Sequence, residues 1–129
     1  MIKTDYIISK IEKYASLELA EPWDNSGWQI NLGHDYTNKV LVALSMTREV
    51  LEQAITNDCD LIVTHHPMIF NSIKKIDNPL IADAIKNNIC VYSAHTNLDR
   101  TSGSTTDQLC GVLGLQNPVT VLLLIWELI

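Results

Sequence analysis

An α/β fold, a mostly parallel sheet with helices packed on it around a β-α-β-α-β core, is what this sequence predicts, on three observations. Residues 40–44, 61–64 and 89–93 are short, nearly continuous aliphatic runs, the pattern of strands covered on both faces. Each gap between them holds a helical stretch with its own start signal. Two successive crossovers of this length are hard to build except as parallel strands joined right-handedly through helices.

The elements follow in order. Ile7, Ile8, Ile11 and Tyr14 recur at helical spacing behind Thr4, a candidate N-cap, and Asp5 in the first turn, which predicts a packing helix at the start. Pro22, Asn25, Ser26 and Gly27 then break the pattern. The stretch Glu21-Pro22-Trp23-Asp24-Asn25-Ser26-Gly27 reads as a loop with one large aromatic anchor, followed by a short strand over 28–32. After the first aliphatic run, Thr47 caps a helix carrying Val50, Leu51, Ala54 and Ile55 on one side. Asn78 and Pro79 take the N-cap and first-turn positions of the next, with Leu80, Ile81, Ala84 and Ile85 inward. A last helix is expected over 105–113, with Gly114 past its end.

A chain of 129 residues has room for one domain, 1–129, and its composition, 47% hydrophobic and 19% charged with a mean hydropathy of +0.08, is that of a folding chain. Nine basic residues against fifteen acidic ones give a formal charge of -6 without a Lys/Arg run, so binding to a nucleic-acid backbone is not expected. Cys59, Cys90 and Cys110 are odd in number and widely spaced, as expected of reduced thiols in a cytoplasmic protein. The N-terminal stretch is too rich in charge for a signal peptide. The apolar tail 119–129 is too short to cross a bilayer, so no membrane partner is expected.

In open parallel sheets ligands bind beyond the carboxyl ends of the strands. The second run ends in Thr64-His65-His66-Pro67 and the third leads into His95-Thr96-Asn97-Leu98-Asp99, so three of the four histidines fall at one sheet edge with an aspartate. Imidazole and carboxylate are the common ligands of zinc, iron, manganese and nickel. Because side chains alternate along a strand, His65 and His66 suit two neighbouring ions better than one. A histidine pair at a strand end can instead cap carbonyls, and His34 reads as a solvated loop residue. No nucleophile elbow frames Ser45, Ser93 or Ser102, and no phosphate-binding glycine loop occurs.

The blocks Glu21 to Gly27, Asp60-Leu61-Ile62-Val63-Thr64-His65-His66-Pro67 within 54–70, and Tyr92-Ser93-Ala94-His95-Thr96-Asn97-Leu98-Asp99 closely resemble the Nif-three-like family of dinuclear-metal hexameric proteins. Its members are often named GTP cyclohydrolase I type 2 homologues. The resemblance runs collinearly over about residues 2–118 and makes this chain similar to the N-terminal half of such a protein. It implies two divalent transition ions, with His65 and His66 on different ions and Asp99 joining one, while His95 is a ligand or an adjacent group that orients water or relays a proton. It implies a homo-oligomer, a ring-shaped hexamer, and a metal-dependent hydrolase-type site of unspecified substrate. The family's remaining ligands, a histidine and a bridging glutamate, come from a later helix motif. Here no histidine follows Asp99 and Glu127 is the sole later glutamate. The chain also departs from the family at Ser45, where an aspartate is usual, and at Ser104-Thr105-Thr106-Asp107, where Gly-Val-Asn-Asp is usual. Against the hydrolase reading stand a non-catalytic metal-binding or regulatory module and a truncated fragment with an incomplete site. The tail 119–129 does not resemble the family's continuation.

Overall fold

The computed structural model describes residues 1–115; the apolar tail 119–129 lies outside the described residues. Its centre is a four-stranded sheet of order β2-β6-β5-β4, built from β2 (Gly27–Ile30), β4 (Val40–Ala43), β5 (Leu61–Thr64) and β6 (Cys90–Ser93). The β4–β5 and β5–β6 pairs are parallel and β2 runs antiparallel to β6, so the sheet is mostly parallel, as expected. A two-stranded antiparallel ribbon, β1 (Ile2–Lys3) with β3 (Tyr36–Thr37), was not signalled by the pattern because two residues show no period. The helices are α1 (Thr4–Tyr14), α2 (Arg48–Thr56), α3 (Pro79–Lys86), α4 (Thr96–Asp99) and α5 (Thr105–Val112).

The start signals work as the residues dictate. Thr47 Oγ1 accepts from Val50 N–H at α2, Asn78 Oδ1 from Leu80 N–H at α3, and Ser104 Oγ from Asp107 N–H at α5. Gly114, with φ +69°, sits just past the final helix. Thr4 does not cap α1. Lys3 holds the N-cap position, and Thr4 Oγ1 turns inward to Thr37 Oγ1 at 2.9 Å, stitching the helix to the ribbon.

Strand alternation sorts the core into two layers. Ile62 and Val91 join Leu51 and Ala54 of α2 and Ile81 and Ala84 of α3 on one face. Leu61, Cys90 and Tyr92 pack with Ile8 of α1 on the other. Burial of each such leucine or isoleucine contributes about 2 kcal/mol. One expectation fails: β4 is not covered on both faces. It is an edge strand of this sheet, with Leu41 packed on the α2/α3 layer but Val42 77% exposed. The packing of α1 is centred on β5 and β6, and the aliphatic run alone cannot report which side of a strand a helix reaches.

Candidate metal centre

The parallel ladder carries the histidines to the sheet edge. His65 N–H donates to Ala43 O and His66 N–H to Leu44 O, continuing the β4–β5 pairing past Thr64, while Ala94 N–H donates to Thr64 O. These bonds fix the backbone of His65, His66 and Ala94 before any side chain is placed. The three imidazoles then gather: ring centroids lie 5.0 Å apart for His65 and His66, 5.4 Å for His65 and His95, and 5.8 Å for His66 and His95. The rings of His65 and His66 lie just beyond the end of β5 at Thr64 and are tilted 42° to one another.

Each ring has its Nδ1 engaged. His65 Nδ1 donates to the Ala94 carbonyl at 2.9 Å, His66 Nδ1 meets Ser45 Oγ at 2.7 Å, and His95 Nδ1 meets Asp24 Oδ1 at 2.8 Å. A carbonyl can only accept, so Nδ1 of His65 carries a proton and, in the neutral ring, Nε2 keeps its lone pair. Partners on Nδ1 of this kind orient metal-binding imidazoles. Asp99 Oδ1 stands 3.7 Å from His65 Nε2, and its side chain, held by Thr105 Oγ1, stays 37% exposed.

Asp24 was read only as part of a loop. Its side chain is 0% exposed and accepts from Asn25 N–H, Ser26 Oγ, His95 Nδ1, Thr96 N–H and Thr96 Oγ1. Burial alone would raise its pKa, but the bonds from His95, Ser26 and Thr96 outweigh it and hold the carboxyl far below the usual range. The signal was present as a loop aspartate with a serine two residues on and a chain-reversing glycine after it; what it lacked was any hint of a contact 71 residues away. Gly27, with φ +110°, makes the turn that leads this loop into β2.

His34 pairs with Asn88 Oδ1 at 3.0 Å on the surface and takes no part in the cluster. Cys90 is buried in the α1 layer, consistent with a packing role, and all three cysteines are free thiols. Among the described residues, no group of three or more His, Cys, Asp or Glu side chains is arranged to hold one ion.

The sequence model of the Duf34/NIF3 (NGG1p interacting factor 3) family matches residues 2–123. The chain belongs to this family. It is 36% identical over 118 residues to the GTP cyclohydrolase 1 type 2 homolog of Clostridium acetobutylicum, covering 88% of this chain and 44% of that protein. It is 39% identical over 114 residues to the protein of the same name in Bacillus subtilis, covering 84% and 31%. Among solved structures, the NIF3-related protein of Bacillus cereus superposes with a TM-score of 0.83 at 40% identity, covering 89% of this chain and 33% of that one. Reduced HcgD from Methanocaldococcus jannaschii gives 0.84 at 32% identity, covering 92% and 49%. The chain therefore spans less than half the length of these NIF3 relatives. No helix among its described residues is long and apolar enough to cross a membrane.

Proposed function

We propose that this chain carries part of a dinuclear divalent-metal centre of hydrolase type, with His65 and His66 serving different ions and Asp99 sharing the ion of His65. The observation that carries this reading is the 3.7 Å approach of Asp99 Oδ1 to His65 Nε2. With its Nδ1 proton committed to Ala94, a neutral His65 would present its Nε2 lone pair toward a carboxylate oxygen, and a cation shared by the two would satisfy both. Two ligands of one tetrahedral ion stand about 3.3 Å apart, which small side-chain rotations reach. Imidazole and carboxylate suit zinc, iron, manganese and nickel alike.

Such ions, when bound, polarise a substrate oxygen and lower the pKa of bound water. The chain's own residues do the rest. The Ala94 carbonyl and Ser45 Oγ orient His65 and His66, and Asp99 neutralises positive charge beside His65. His95, the third ring, stands ready to orient water or carry a proton. The substrate is an electrophile open to attack by water; a cyclohydrolase reaction on a nucleotide follows from the relatives' name alone. By the resemblance to the dinuclear-metal hexameric family the working assembly is a homo-oligomer, a hexamer, and the sparse, unpaired cysteines suit the cytoplasm.

A second reading has its own observation. On this reading the chain by itself is a weak, non-catalytic metal-binding module, supported by the lack of three converging donors among the described residues. The two are separated by chelating the purified chain, adding back Zn2+ or Mn2+, and measuring retained metal alongside turnover of a nucleotide and phosphoester panel. Retained metal with turnover supports the hydrolase; retained metal without turnover supports the module. If the His65→Ala/His66→Ala variant retains as much metal as the parent, both fall.

A further inference from the structure

We propose that Asn97 is a positioning residue: backed by Thr101, it anchors α4 to the C-terminal end of α1 and so turns Asp99 toward the histidine pocket. This inference deepens the dinuclear reading and rests on it for what Asp99 is positioned to bind.

The argument begins with the length of α4. Four residues, Thr96–Asp99, make a single turn, and one turn has too few internal hydrogen bonds to hold its own orientation. Both of its ends nonetheless belong to the site, His95 at the N-cap and Asp99 at the last helical position. Asn97 lies between them and is 0% exposed. Its Nδ2 donates to the Ala15 carbonyl at 2.8 Å, and because a carbonyl only accepts, this bond fixes which way the amide faces. Thr101 Oγ1 stands 3.2 Å from the adjacent Tyr14 carbonyl and 3.0 Å from Asn97 O. Carbonyls at a helix C-terminus lack partners within their own helix, so the end of α1 offers two neighbouring acceptors as an anchor point.

Helical geometry converts the anchor into aim. Side chains two positions apart on a helix point about 200° away from one another. With Asn97 pinned inward, Asp99 is turned out of the core, where it is 37% exposed with Oδ1 3.7 Å from His65 Nε2. The anchor carries a cost. Asn97 Oδ1 is buried and meets no hydrogen-bond partner among the described residues, and a buried acceptor left unpaired is destabilising. Packing gives no reason for an amide in that place; the donor it supplies to α1 does.

The test has two readouts. The first is hydrogen exchange in chelator-treated protein, which needs no metal. The Asp99 and Arg100 amides, bonded to His95 O and Thr96 O, should exchange about 5-fold faster or more in Asn97→Ala, while those of α2 stay as in wild type. The second is a double-mutant cycle on Zn2+ affinity by calorimetric titration. Asn97→Ala should weaken binding by about 10-fold in the wild-type background and by less than about 2-fold in Asp99→Ala, because its effect passes through Asp99. A merely structural loss would weaken both backgrounds alike. Unchanged exchange in Asn97→Ala, or exchange quickened equally in α2 and α4, overturns the proposal. So does an equal loss of affinity in both backgrounds, or none in a protein that binds Zn2+. Should Asn97→Ala fail to fold, Thr101→Val, which removes only the hydroxyl donor to Tyr14, should show the same pattern at reduced size, and its absence overturns the proposal too. If wild type binds no Zn2+, the dinuclear reading falls and the exchange readout alone decides this inference.

Discussion

Asp24 and Asp99 each stand beside a histidine of one cluster, yet Asp24 is fully enclosed and meets five donors, whereas Asp99 is 37% exposed and is held by one hydroxyl. Asp24 shapes its surroundings; Asp99 has coordination to spare. The difference teaches that a carboxylate's function is set by how many of its lone pairs the fold has already used. A saturated one orients a neighbour, while an unsaturated one beside an imidazole can take a ligand.

The contrast is broken most directly by truncation. Asp24→Ala leaves the Thr96 N–H, the Ser26 hydroxyl and the His95 ring without their acceptor and should cost about 3 kcal/mol in urea denaturation. Asp99→Ala should stay within about 0.5 kcal/mol of wild type. Equal losses would erase the distinction.

Acid sharpens it. The folded pKa of Asp24 is depressed, so its contribution is complete above the unfolded value near 4 and is lost as pH falls from there toward the folded value. Wild-type stability should drop below about pH 4 more steeply than that of Asp24→Asn, followed by denaturation at stepped pH. Tyr92 gives the opposite sign. Burial, then its bond to Glu12 at 2.9 Å, raises its pKa, so its contribution is complete below the unfolded value near 10 and is lost as pH rises past it. Tyr92→Phe should cost about 1 kcal/mol at neutral pH and flatten the alkaline limb of the same experiment.

Much of this was legible in the residues. The aliphatic runs, the Thr47 and Asn78 caps and the sheet edge holding His65, His66, His95 and Asp99 all follow from local chemistry and chain order. The exposed face of β4 was not, because burial depends on which strands α1 covers. Nor was the Asp24 clamp, since its partners Ser26 and Thr96 lie on segments joined only by folding.

The smallest effect concerns Ser45. Removing its hydroxyl frees His66 Nδ1, so Ser45→Ala should leave stability within about 0.5 kcal/mol and weaken ion binding by about 10-fold, read by calorimetric titration.

Calorimetric titration of Zn2+ into chelator-treated wild type and Asp99→Ala tests the central claim most directly. The account predicts wild-type binding that weakens by about 10-fold or more in the variant, with the melting temperature of the metal-free protein unchanged. Identical isotherms for the two proteins would contradict it.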